Sequence, residues 1–295
     1  MKRLGIVGVL LVVLVAVGVS VGLASPPARL VADGPHGIVP PRGKAHGGGG
    51  GSPNMVWHNG PILTSTTVSS IFWGTSWASS PGDKISGLDG FYQGFANSNY
   101  TKTNDEYTGT NGQVGAGAVA FSSHAVDTTA APGKAPSTGA VLAEVAKETG
   151  NSPVAYGYYP VYSDQPRGHA GYCAWHSSGT INGTPVEFAF FFKLDGDPGC
   201  DPQDTSGLHS QGLAALANVS GHELSETLTD PSNGGWYDTS GAENADKCAW
   251  TFNVPSVTFT GGTQWKIQGN WSNAAYTAGT GYPNSAGQQG CLDGH

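Results

Sequence analysis

The run Val186-Glu187-Phe188-Ala189-Phe190-Phe191-Phe192 is apolar at every position but one. A strand with one wet face alternates polar and apolar residues, and this run does not, so Val186 to Leu194 is expected as a central strand. Asn182-Gly183 precedes it, a pair suited to the two-residue turn of a hairpin, and Tyr172 to Ile181 is expected as the partner strand. Thr66 to Trp73, Val114 to Phe121 and Val154 to Tyr162 also read as strands, rich in β-branched and aromatic residues. Asp83 to Phe95 carries Ile85, Leu88, Phe91, Tyr92 and Phe95 at helical spacing. Thr138 to Thr149 reads as a second helix, capped by Thr138 and ended by Gly150. A third is expected over Leu208 to Thr229. Past Asp246 only short strands are expected, at Thr251 to Phe252, Val257 to Thr260 and Gln264 to Gln268. The fold class is therefore α+β: a mixed sheet, one long helix after it, and a smaller irregular β-rich C-terminal part.

Met1-Lys2-Arg3, the apolar run Leu4 to Ala24 and the small-x-small end Gly22-Leu23-Ala24 have the layout of a secretory signal peptide over residues 1–24. The alternative is an uncleaved anchor, since the run is long enough to span a bilayer. In either case the body is exported, and no other membrane contact is expected. Residues 25–54 hold Pro26-Pro27, Pro40-Pro41 and Gly47 to Gly51, and are expected as a flexible linker or pro-segment. Residues 55–295 are expected to form a single secreted domain. Loss of Lys2 and Arg3 leaves 11 basic against 21 acidic residues, a net charge of −10. An acidic body without a basic cluster argues against nucleic acid as a partner. Four cysteines in an exported chain favour two disulfides, and Cys173–Cys200 with Cys248–Cys291 is the pairing expected, each enclosing one local segment.

Gly221-His222-Glu223-Leu224-Ser225-Glu226 lies near the end of the third helix. Residues four apart share a helix face, so His222 and Glu226 can direct an imidazole nitrogen and a carboxylate oxygen at one point. This is the layout of the His-Glu-x-x-His helix of zinc peptidases with glutamate as the second ligand. The pair is set apart from the apolar stripe Leu213, Leu216, Ala217, Leu224 and Leu228, as on a helix lining a cleft. A catalytic zinc takes three protein ligands and a water. Glu243 lies seventeen residues beyond Glu226 and Asp246 lies twenty beyond. Glu243 is expected as the third ligand, with Asp246 beside it or in its place. Glu223 is expected as the general base. Two carboxylates would leave Zn²⁺ nearly neutral, which predicts a weak hydrolase or another divalent metal. The bland alternative is a solvated helix face.

Asp195, Asp197 and Asp201 offer calcium-type oxygens without the EF-hand order. His169 and His176 flank Cys173 on or near a strand; they could touch a cleft, but core or surface positions are expected. No Gly-x-Ser-x-Gly elbow is present to support a serine hydrolase. The order of sheet, motif helix and acidic pair matches the zincin architecture, in which the active-site helix lies under a twisted sheet and an edge strand lines the substrate cleft.

A series of stretches also resembles the phosphate-induced, EXORDIUM-like extracellular proteins in their bacterial form. They are His58-Asn59-Gly60-Pro61-Ile62-Leu63, Val68 to Gly74, Gly171-Tyr172-Cys173-Ala174-Trp175, Gly212 to Pro231, Gly234-Gly235-Trp236-Tyr237 and Glu243 to Cys248. Together they span most of residues 55–291. The resemblance implies a wall-facing extracellular protein without a settled biochemical activity. The plant members lack a clear His-Glu-x-x-Glu at the position of His222 to Glu226. Two functions are therefore expected: a zinc-dependent peptidase acting on extracellular peptide or protein, or a non-catalytic protein binding wall polysaccharide.

Overall fold

The computed structural model describes residues 27–44, 52–115 and 119–295. The expected leader, residues 1–24, lies outside the described residues. The chain is α+β, with a central mixed sheet of seven strands. These are β1 Leu30–Ala32, β2 His36–Val39, β3 Thr66–Trp73, β4 Val119–Asp127, β5 Tyr158–Pro166, β6 Ala174–Ile181 and β7 Thr184–Lys193. The order across the sheet is β1-β6-β7-β5-β3-β4, and β2 pairs with β6 beyond the end of β1. The β7-β5, β5-β3 and β3-β4 pairs are parallel, and β6-β7 is an antiparallel hairpin. Asn182 and Gly183 turn that hairpin with φ of 53° and 85°, the left-handed pair that the two-residue turn requires.

Helix α1 (Lys84–Phe95) and helix α3 (Gln211–Thr229) pack on one face of the sheet, and α2 (Thr138–Glu148) packs on the other. Ser137, not Thr138, caps α2, accepting from the Ala140 N–H. Helix α3 begins at Gln211 because Ser210 caps it and accepts from the Leu213 N–H, so Leu208 stays outside the helix and exposed. Layers on both faces explain why β7 is apolar throughout: Phe188, Phe190 and Phe192 face one way, and Ala189 and Phe191 the other, all buried.

Two expectations need correction. The segment expected as linker supplies β1 and β2, which pair antiparallel with the outer edge of β6. Strands of three and four residues among prolines and glycines show no periodicity of their own, and their order comes from the neighbouring edge. Secondly, α3 does not line an open cleft. Every residue from Gly212 to Thr229 is buried. The sheet covers one side, α1 another, and the C-terminal part packs through Ile267 onto Gly221, where a Cβ would come within 2.3 Å of the isoleucine.

The C-terminal part is irregular, with short strands at Gln264–Trp265, Asn270–Trp271 and Gln289–Leu292 and a helix, α4, at Asn273–Ala278. The disulfides are Cys173–Cys200 and Cys248–Cys291, as expected. Among the described residues no helix is long and apolar enough to cross a membrane.

Candidate metal centre

A helix buried on all sides must satisfy its polar side chains internally. Most of those on α3 are satisfied. Asn218 accepts from the Gln268 N–H at 2.9 Å, and Ser225 accepts from the Asn270 amide at 3.0 Å. Ser220 joins a hydroxyl chain with Tyr162 and Tyr92, each step 2.7 Å. Glu223 and Glu226 are different. Both oxygens of Glu223 and the Oε2 of Glu226 are buried without a hydrogen-bond partner.

The atoms facing them come from two other places. His176 stands on β6, fully buried, with neither ring nitrogen partnered. Its Nε2 lies 3.8 Å from Glu226 Oε2 and 3.4 Å from Glu243 Oε2, itself unpartnered. One atom each from His176, Glu223 and Glu226 lie within 4.8 Å of one another, as do one each from His222, Glu226 and Asp246. All five expected residues, Glu223, Glu226, His222, Glu243 and Asp246, therefore meet in one buried cluster. His176 joins them, although its place on a strand gives no spacing signal.

The supports are local. Glu226 Oε1 accepts from the Asp246 N–H at 2.9 Å, and Glu243 donates its own N–H to Asp246 Oδ2 at 3.3 Å. Asn244 ties this turn to Asn104 at 2.6 Å. Cys248 anchors the turn that carries Glu243 and Asp246, and Cys173 lies three residues before His176. Asp230 ends α3 rather than joining the cluster as a ligand, its Oδ1 accepting from the N–H groups of Gly234 and Gly235 at 2.7 and 2.6 Å.

His222 is held from its Nδ1 side. The Gln268 amide donates to the Ala245 carbonyl at 2.9 Å and accepts from the Trp250 N–H at 3.0 Å, so two backbone groups fix which end is nitrogen. That nitrogen lies 2.9 Å from His222 Nδ1, which must accept. The ring proton then falls on Nε2, which lies 2.9 Å from Glu226 Oε1 and 3.5 Å from Asp246 Oδ1 without hydrogen-bond geometry to either. A ligating histidine normally donates its second N–H to an acceptor. His222 meets a donor there instead, and its Nε2 forms, with Glu226 and Asp246, the second group of ligand-type atoms in the cluster.

Burial, then the Asp246 carboxylate, push Glu226 up to about 7. Burial raises Glu223 well above the ordinary carboxylate range, and it raises Glu243 likewise, with Glu226 adding to the effect. Burial lowers His176 well below the usual imidazole range, leaving it neutral, the form that binds a metal. Among the described residues no lysine or arginine pairs with Glu223, Glu226, Glu243 or Asp246. Burial works to lower His222, but Glu226 and Asp246 raise it well above the usual imidazole range, and a divalent cation would supply the same positive charge to these costly buried carboxylates. The 3.4 and 3.8 Å separations around His176 Nε2 are each close to the roughly 3.3 Å between neighbouring ligands of a tetrahedral zinc, and the groups whose ligand atoms all lie within 4.8 Å of one another are His176 with Glu223 and Glu226, and His222 with Glu226 and Asp246. The donor set fits a metal ion.

β2 lies directly over this cluster. Gly37 has φ +50°, and a Cβ there would lie 2.1 Å from His176 Nε2 and 2.5 Å from Glu226 Oε2. His36 meets the His176 ring edge-on at 4.3 Å between centroids and is half-exposed beside a surface cavity.

The three aspartates of the calcium expectation each have a protein partner. Asp195 pairs with Lys84 at 2.8 Å, and Asp197 grips Arg167 through contacts of 2.6 and 3.0 Å. Asp201 accepts the Gln203 N–H at 2.7 Å. Those carboxylates are already committed to protein partners. His169 is exposed, as expected of a surface histidine.

No known protein family, curated protein or solved structure matches this chain.

Proposed function

We propose that this chain is an exported metal-dependent hydrolase acting on peptide bonds. His176, Glu226 and Glu243 hold the metal, and Glu223 is the general base. The observation that carries this reading is the convergence of buried, unpartnered atoms: His176 Nε2, Glu226 Oε2, Glu243 Oε2 and both oxygens of Glu223. A bound zinc supplies Lewis acidity and a water of lowered pKa. The Asp246 N–H holds Oε1 of Glu226, which leaves Oε2 for the ion. Burial holds Glu223 well above the ordinary carboxylate range, and a cation in the cluster would favour its ionised form, which would take a proton from the attacking water and return it to the leaving amine. Two disulfides suit an oxidising compartment and support export.

The reading keeps the sequence-based chemistry but changes one ligand, replacing His222 by His176. The test is elemental analysis of the purified chain before and after chelation, together with a general protease assay. Stoichiometric zinc and chelator-sensitive hydrolysis are expected. Glu223→Gln should retain the metal while hydrolysis falls about 10²–10⁴-fold. A metal-free, inactive wild type would leave the EXORDIUM-like reading, a non-catalytic binder of wall polysaccharide, in its place.

A further inference from the structure

A cavity of about 350 Å³ opens on the same face of the sheet as the metal cluster. Ser178 lies on its wall, two residues from His176 along β6, so the two side chains share a face roughly 7 Å apart. Ile62, Leu63, Tyr156 and Pro185 give the cavity an apolar lining, and Glu187 lies opposite Ser178 on β7.

Glu187 is the one charged side chain in the apolar run of β7. It is 4% exposed, yet it lines the cavity, and its Oε2 has no partner. A merely structural carboxylate at that depth would be met by a donor from a neighbouring strand or loop. Here the nearest charged groups are acidic: Asp33, whose Oδ2 accepts from Ser178 Oγ at 2.6 Å, and Asp230. Burial and these two carboxylates hold Glu187 well above the ordinary range, so the cavity on its own keeps it protonated and a cation entering the cavity would favour its ionised form. An apolar passage with an unpaired carboxylate in its wall and a second acid on its lining matches a flexible aliphatic chain that ends in a cation.

We propose that this cavity binds an aliphatic ammonium or guanidinium group, and that it is the subsite for a lysine or arginine side chain of the substrate. As a subsite it rests on the hydrolase reading; as a cation site it does not. The aliphatic stem lies against Ile62, Leu63 and Pro185, and the charged end pairs with Glu187.

The test is calorimetric titration with Nα-acetyl-lysine N-methylamide, its norleucine counterpart and cadaverine. The protein is the full chain carrying Glu223→Gln, so that nothing is turned over. Saturable one-site binding of the lysine derivative is expected, with at least about tenfold weaker binding of the norleucine compound. Glu187→Gln, close in shape to the native residue, should lower lysine affinity by a similar factor. Val31→Arg places a guanidinium on the exposed rim, where it fills the site from within, and should abolish binding with Glu187 intact. Tighter binding of the lysine derivative than of cadaverine identifies a peptide side chain as the source, and the reverse order identifies a free amine. Equal affinity of lysine and norleucine compounds, or unchanged lysine binding in Glu187→Gln, overturns the proposal. Amine binding by a metal-free, inactive protein would sink the hydrolase and keep the site.

Discussion

A single amide decides how the motif residues divide their work. Gln268 is read by two backbone groups, and its nitrogen then dictates the tautomer of His222. His176→Ala should therefore abolish zinc binding, because it removes a ligand. His222→Gln should weaken it by only about 10–100-fold, the usual loss when a residue behind a ligand is changed. Chelator competition measures both. A complete loss in His222→Gln with retention in His176→Ala would restore the ligand set expected from helical spacing. That spacing made His222, Glu223 and Glu226 legible, because a helix fixes which side chains meet. His176 was not legible, since strand pairing brings together residues far apart in the chain and leaves no local mark. Gln268 stands 46 residues from His222, equally beyond any periodicity. A second titratable residue tests the electrostatics away from the metal. Glu144 on α2 is pushed up to about 7, first by burial and then by its contact with Asp127. A carboxyl whose folded pKa is raised stabilises the fold below its unfolded value near 4.5 and loses that contribution as pH rises through 7. Glu144→Gln should thus gain about 2 kcal/mol relative to wild type between pH 4 and pH 8, read from urea unfolding at the two pH values.

Elements differ in how openly their sequences declare them. β3 occupies Thr66–Trp73 as expected, because eight β-branched, small and aromatic residues form one unbroken strand signal. The β6–β7 hairpin was equally plain from Asn182-Gly183 and the apolar run beyond. β1 and β2 were hidden, because two short segments gain order only by completing another strand's hydrogen bonds. β2 also closes the cluster, and it does so through the one residue type that fits. Gly37→Ala would drive a methyl group into His176 and Glu226 and strain a positive φ at the same time. The variant should lift β2, lower the melting temperature and speed the loss of zinc to a chelator. Unchanged exchange kinetics would show that β2 does not control access to the cluster.

For the molecule as a whole, the metal-dependent reading makes folding and cation supply interdependent. The sheet, α1, α3 and the C-terminal part all converge on carboxyl groups that burial and their neighbours hold above the ordinary range, and that a cation would favour in ionised form. Zinc at a thousand times its dissociation constant should add about 4 kcal/mol, which is roughly 8–16 °C of melting temperature for a domain of this size. Differential scanning calorimetry with and without a chelator measures it, and a metal-independent transition would refute the coupling. The same scale gives the N-terminal strands a second consequence. The outer edge of β6 carries buried Trp175 and Ile181, and a bare edge of that kind invites pairing with another chain. β1 and β2 occupy those hydrogen-bonding positions from within. The opposite margin of the sheet, β4, instead exposes Ser122, Ser123 and His124 to solvent. One flank of the sheet is thus guarded by its own leading segment and the other by polar side chains, which keeps a chain with so few surface charges from assembling edge to edge.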